Sequence, residues 1–450
     1  MKFNMRDIDM LHGSLWDKII IFALPLALTG VMQQLLNAAD VFTLGQFVGK
    51  NAMAAVGNNI SMVGLIISLT MGLSLGANVV IAQNIGAQKI DRAHAAVNTA
   101  FVLAIAAGIC FGIVAELLVA PIFYFLEVPE SVVGMAETYL RIFLLGLPAI
   151  SLYNFEAAIF RAKGDTRTPL IALALASGMN ILLNLLFVLQ FNFGVAGVAA
   201  ATVIANVVSA IILFRALLKS EGVIKLNLNA MHIDKEELFE IVRIGLPAGI
   251  QGMVFSLSNL LIQAAINSLG ADAMAASAAA FTIEINVYCL MNGFGQAATT
   301  FVSQNYGAGN LSRCKRATWV SMGLNALFTQ TLCIFLLVFA EEILGYFNGD
   351  PEVIRLGVIR LWYIVLPELV NVLMEGLSGA LRGYGISMTP AVITLICVCG
   401  VRVVWVFTAF AKIPTYATLM AVYPVSWFIT TIFLIAAYVY HMKNLKPARI

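Results

Sequence analysis

The sequence predicts an all-α membrane protein with twelve transmembrane helices in two pseudo-symmetric bundles of six. Three observations carry that prediction. The first is composition. Of 450 residues, 61% are hydrophobic and 11% charged, with a mean hydropathy of +0.92, whereas soluble domains carry about 25% charged residues. A globular fold of this composition would lack the polar surface that water requires. The second is the recurrence of long apolar stretches, such as Ile19–Leu36, Val97–Val119, Ile171–Leu189 and Ala391–Phe410. A span takes about 20 such residues at 1.5 Å each. The third is an internal repeat.

Taken in order, the spans are expected at about 16–43, 52–84, 92–119, 133–158, 167–190, 194–218, 237–268, 274–305, 314–340, 353–379, 387–411 and 415–440. Short polar or Gly/Pro-bearing links separate them, among them Gly49-Lys50-Asn51, Glu127-Val128-Pro129-Glu130 and Asn348-Gly349-Asp350-Pro351. The longest polar stretch lies mid-chain. It divides the sequence into a first lobe (1–218), a linker (219–236) and a second lobe (237–450). The first apolar segment is too long for a leader peptide and lacks a small-residue cleavage site, so it reads as a mature span.

The halves repeat at a fixed distance. Gln83-Asn84-Ile85-Gly86-Ala87 returns as Gln304-Asn305-Tyr306-Gly307-Ala308, 221 residues on. The same offset carries Gly72 onto Gly293, and Ala52-Met53-Ala54-Ala55 onto Ala273-Met274-Ala275-Ala276. It also carries Arg161, Gly164, Thr168 and Pro169 onto Arg382, Gly385, Thr389 and Pro390. Leu24-Pro25 returns as Leu246-Pro247 after a one-residue shift. With six spans per half the repeat is parallel, an arrangement that puts a substrate path between the lobes. Pro25 and Pro247 could let the two lead helices bend.

Charge sets the orientation. Of 26 basic residues, 20 fall at the N-terminus or beyond even-numbered spans, including Lys2, Arg6, Lys89, Arg92, Arg161, Arg313, Arg382, Lys446 and Arg449. Five (Lys50, Arg141, Arg355, Arg360 and Lys412) fall on the other side, and Arg402 lies inside a span. The positive-inside rule then places both termini and the linker in the cytoplasm of a multi-pass cell-membrane protein. A net charge of +2 gives no reason to expect nucleic acid. The six cysteines (Cys110, Cys289, Cys314, Cys333, Cys397 and Cys399) lack C-x-x-C spacing and read as small buried hydrophobes. No phosphate-binding G-x-x-x-x-G-K-[ST], zinc H-E-x-x-H or nucleophile G-x-S-x-G motif occurs. The chain therefore reads as neither an ATP-driven pump nor an enzyme, and no cofactor is expected beyond a coupling ion. All four histidines lie near cytoplasmic ends, which argues against a histidine proton relay at membrane depth.

Ionisable residues inside apolar spans are costly and mark pathways or coupling ions. Asp40 in the first span is the clearest. Asn180 and Asn184, one turn apart on one face of the fifth span, and Thr202 in the sixth could join it. One carboxylate with amide and hydroxyl oxygens suits a hard cation, and a buried carboxylate alone can carry a proton. The bland alternative is that Asn180, Asn184 and Thr202 only hydrogen-bond helices together. Glu284 lies between Phe281 and Tyr288, where a carboxylate beside aromatics suits lipophilic cations. Alternatively it pairs with Arg402. Glu156 and Glu375 precede Arg161 and Arg382 and read as their salt-bridge partners. Glu368 is left without a role. Met32, Met253, Phe255, Tyr288 and Met291, with Glu284 and Arg402, are candidates for an adaptable substrate cavity.

These features resemble the MATE family, the multidrug and toxic compound extrusion transporters. The resemblance covers nearly the whole chain. Its marks are Ala39-Asp40-Val41-Phe42-Thr43-Leu44-Gly45, the two Gln-Asn-x-Gly-Ala segments, the run from Arg161 to Pro169, and Leu381-Arg382-Gly383-Tyr384-Gly385. It implies export of cationic or amphipathic small molecules by a monomer, through Na⁺ or H⁺ antiport with alternating access. It also implies that Asp40, Asn180, Asn184 and Thr202 form a first-lobe cation site. Two departures matter. Many relatives carry Asp where this chain has Asn184, and the acidic residue that the NorM-like branch places in the seventh span is missing around Val254-Phe255-Ser256-Leu257. The chain thus looks closer to the DinF-like or MepA-like branches. A lipid-linked glycan flippase of the same superfamily is the alternative function.

Overall fold

The structure is a computed structural model and describes residues 7–125, 130–228 and 231–445. Lys2, Arg6, Lys446, Arg449 and the Glu127–Pro129 link lie outside them. All regular structure among the described residues is helical. The first half contains α1 (Trp16–Phe47), α2 (Lys50–Gly86), α3 (Ile90–Phe125), α4 (Glu130–Leu145), α5 (Leu147–Lys163), α6 (Arg167–Leu185) and α7 (Gly194–Lys219). The second contains α8 (Lys235–Asn267), α9 (Ala271–Gly307), α10 (Leu311–Val338), α11 (Ala340–Phe347), α12 (Pro351–Ile364), α13 (Glu368–Gly383), α14 (Met388–Thr394), α15 (Val401–Trp405), α16 (Tyr416–Met420) and α17 (Val422–Asn444).

Among the described residues, ten helical segments are long and apolar enough to cross a membrane, and two bent pairs bring the number to as many as twelve. Two spans expected as single helices are therefore each broken. α4 and α5 meet at 49°, and α12 and α13 at 44°. Each break falls at a Leu-Pro, Leu147-Pro148 or Leu366-Pro367. Proline cannot donate the hydrogen bond that would continue the helix, and its ring crowds the preceding turn. The outward surfaces are those of a protein in lipid. On α3, Ile105, Ile109, Ile113 and Leu117 recur every fourth residue and are all exposed, Leu117 at 72%. An aqueous helix would hide such a stripe.

The chain forms two compact units. One holds Met1–Ile8 and Val31–Gly249, the other Asp9–Gly30 and Ile250–Ile450. The contact division thus differs from the sequence division at the two lead helices. The first part of α1 packs with the second-half helices, and the first part of α8 packs with the first-half helices. The repeat explains both. In the first unit, Asn84 Nδ2 donates to Glu237 Oε2 at 3.0 Å, and Arg92 pairs with Glu236 and Glu237 at the start of α8. In the second unit, 221 residues on, Asn305 Nδ2 donates to the Met10 carbonyl at 3.1 Å. Arg313 donates to the carbonyls of Met10, His12 and Gly13 just before α1.

Glycines make the same contact deeper in. A Cβ on Gly72 of α2 would lie 2.1 Å from the backbone nitrogen of Gly249 and 2.7 Å from the Gly245 carbonyl. A Cβ on Gly293 of α9 would lie 2.8 Å from the Ala23 carbonyl and 2.9 Å from the Ala27 nitrogen. Small residues let helix backbones touch in this way, and in lipid that packing drives association. The linker is not a free tether at its start. Ile224 and Leu226 return to the first core with Val97, Leu213 and Ile241, and Asp234 caps α8 by accepting from the backbone nitrogens of Glu236 and Glu237.

Gly72→Ala should push α2 and α8 apart and cost about 1–3 kcal/mol, the usual range for overpacking. Gly57, in the same helix, has open space where its Cβ would stand. Thermal melting in detergent checks the pair. Gly72→Ala should melt below the parent and Gly57→Ala should melt with it.

Candidate functional site

The first unit gathers all four expected first-lobe residues. Asp40 sits near the end of α1, only 4% exposed. Asn184 Nδ2 donates to its Oδ1 at 2.6 Å, and the Thr202 hydroxyl of α7 stands 2.9 Å from its Oδ2. Asn180, one turn before Asn184 on α6, lies 3.2 Å from Asn184 Nδ2 and 3.2 Å from Thr202 Oγ1. Turning its amide over brings its nitrogen within 3.3 Å of Asp40 Oδ1. Beside this cluster, Leu44, Tyr139, Phe143, Val188 and Val198 form an apolar core.

Local sequence explains the assembly. The i, i+4 spacing of Asn180 and Asn184 places both amides on one helix face. α6 then passes into a wide π turn at Leu186–Gln190, and Asn192 turns the chain with φ of +53°. Short-looped neighbours α6 and α7 run side by side, which brings Thr202 to Asn180. Among the described residues no lysine or arginine pairs with Asp40. Burying a carboxylate without a counter-charge is costly, so the site favours an arriving cation or proton. Asn184 Oδ1 is buried with no donor among the described residues, which leaves an oxygen for a hard cation. Among the described residues the partners of Asp40 are Asn184 and Thr202, with no second carboxylate, and no group of three or more His, Cys, Asp or Glu residues that could hold a metal occurs there.

In the second unit the expected partners are rearranged. Glu284 does not pair with Arg402. It takes Arg360 of α12 in a two-pronged bond, Nε to Oε1 at 2.8 Å and Nη2 to Oε2 at 2.9 Å. Arg360, assigned to an outer end by charge counting, is buried. Nine residues separate it from Pro351 at the start of α12, roughly 13 Å of helix, and that depth was the available signal. Arg402 instead lies over the ring of Tyr423 at 4.6 Å and that of Phe255 at 5.2 Å. Its Nη1 donates to Asn259 Oδ1 at 2.7 Å and to Ser258 Oγ at 3.3 Å.

Glu375 pairs with Arg382 at 3.4 Å. Glu156 does not pair with Arg161: it is wholly buried, and neither oxygen has a hydrogen-bond partner among the described residues. Glu368 accepts from Asn371 at 3.0 Å. Of the cavity candidates, Met291 is fully enclosed and its carbonyl accepts from Asn325. Met253 and Phe255 are half-buried in the second unit, Met32 packs beside the first core, and Tyr288 is exposed.

A family model, MatE, matches residues 25–186 and again 247–408, so each matched stretch opens on a lead-helix proline. The chain belongs to the MatE family. Its transporters are multi-pass membrane proteins, and the helices above fit that architecture. The probable multidrug resistance protein YoeA of Bacillus subtilis is 27% identical over 450 residues, covering 97% of this chain and 96% of that protein. The probable multidrug resistance protein NorM of Thermotoga maritima is 29% identical over 392 residues, covering 86% and 83%. A crystal structure of MATE in complex with MaL6 superposes with a TM-score of 0.89 at 22% identity, covering 97% of this chain and 98% of that one. That structure supports the fold of this MatE chain.

Arg360→Met would leave the Glu284 carboxylate buried and unpaired, at a cost of about 3–5 kcal/mol. Arg355 and Glu352 pair on the exposed surface of the same helix. In detergent, Arg360→Met should melt well below the parent and Arg355→Met should melt with it.

Proposed function

We propose that this MatE transporter exports amphipathic small molecules in exchange for a monovalent cation, and that Asp40 is the coupling carboxylate. The observation that carries the reading is a carboxylate buried in α1 and held by Asn184 and Thr202, with no basic partner among the described residues. The coupling ion, H⁺ or Na⁺, cancels the charge that burial penalises. Asn180 Oδ1, Asn184 Oδ1 and Thr202 Oγ1 supply further oxygens when the ion is Na⁺.

Loading and release of that charge biases the transporter between two conformations. The bias is limited to the difference in ion affinity between them. The multidrug-resistance names of the relatives support efflux over the flippase alternative. The excess of basic residues on one side supports cytoplasmic termini.

Ethidium efflux from vesicles, with Na⁺ and pH gradients imposed separately, tests the reading. The parent should respond to at least one gradient. Asp40→Asn keeps the size and loses the charge, so gradient-driven efflux should fall about tenfold or more, the loss of roughly 1.4 kcal/mol of coupling. Normal efflux by Asp40→Asn under every gradient would sink the proposal.

A further inference from the structure

The repeat maps the Asp40 site onto its counterpart in the second unit, and the counterpart has the opposite charge. Thr202 falls on Tyr423 at the 221-residue offset, and Asn180 on Val401, one position before Arg402. With the one-residue shift of the lead helices, Asn37 falls on Asn259. Arg402 touches these same places, bonding Asn259 and lying against Tyr423.

The guanidinium is completely buried, and its Nε and Nη2 have no acceptor among the described residues. These two nitrogens form one edge of the guanidinium, with parallel N–H bonds that match two oxygens of a carboxylate or phosphate. Arg360 provides the internal comparison, because Glu284 fills its Nε and Nη2 edge with two bonds. The helix around Arg402 is also irregular. π turns at Leu395–Gly400 and Val406–Phe410 flank α15, and such turns recur at functional sites. The terminal one matches the first-unit π turn at Leu186–Gln190, but the one at Leu395–Gly400 has no counterpart in α6. Phe255 and Asn259, one turn apart on α8, are half-buried, so Arg402 lies one side-chain layer beneath that face.

We infer that Arg402 recognises an anionic oxygen group, carboxylate or phosphoryl, carried by the transported molecule. The inference rests on the export reading and narrows it: the substrates include amphipathic anions or zwitterions, and Phe255 must move aside to admit the group. A guanidinium left in an apolar core without a counter-anion is costly, and a two-pronged acceptor would satisfy both idle donors.

Rhodamine B and its ethyl ester differ only in the free carboxylate. Fluorescence anisotropy with the purified full-length protein reads the affinity for each, with inorganic phosphate as a separate competitor. The parent should bind rhodamine B about tenfold more tightly than the ester, an estimate set by one charge-assisted forked bond. In Arg402→Gln the ratio should fall to about one. Arg402→Lys keeps the charge but loses the fork, and should retain only part of the preference; it also decides the matter if the Gln variant does not fold. Equal affinities in the parent, or a preference that survives both substitutions, overturn the inference while leaving the export reading intact. So does phosphate that binds through Arg402 when rhodamine B shows no preference, since the fork then serves a free ion. Failure of both dyes to bind also overturns the inference, while ethidium efflux decides the export reading separately.

Discussion

A carboxylate at membrane depth raises the free energy of the fold unless something cancels its charge, and among the described residues Asp40 is held by amide and hydroxyl groups alone. Those groups orient the carboxylate without neutralising it. An ion pair such as Glu284 with Arg360 is complete in itself and needs no visitor. Asp40 is incomplete in itself, and this makes ion arrival energetically consequential. The rest of the first unit positions that carboxylate. The apolar core around Leu44 and Tyr139 excludes water, and the pairing of α6 with α7 sets the three polar partners on facing helices.

The lead helices give that local chemistry a longer reach. α1 begins among second-half helices, held by Asn305, Arg313 and Gly293, and carries Asp40 among first-half helices. α8 makes the reciprocal passage, held at its start by Asn84, Arg92 and Gly72. A change in charge at Asp40 therefore acts on a helix that belongs to both units. A continuous helix shared in this way, with an ion site near one end, is the kind of physical connection that coupling requires.

Much of this was legible in the sequence. Apolar runs and the repeat gave the spans, because composition and period are all that a bilayer demands of a helix. The Asp40 cluster was legible because its members are polar residues in apolar runs, and because four-residue spacing fixes a helix face. Partner choice was not. Glu284 could reach Arg360 or Arg402 only according to helix rotation and depth, and neither is written in a single sequence. The breaks at Leu147-Pro148 and Leu366-Pro367 were hidden for a related reason, since Pro25 and Pro247 lie inside unbroken helices. The exchange of lead helices could be recognised only once Arg92 and Arg313 had been seen to hold the opposite half's helix.

A coupling carboxylate at Asp40 binds its ion even when no substrate is present. Proteoliposomes adsorbed on a solid-supported membrane report this as a transient current when Na⁺ concentration or pH is stepped without any drug. A saturable current is expected in the parent protein for at least one ion, and none for that ion in Asp40→Asn. Currents of equal size in both proteins would contradict it.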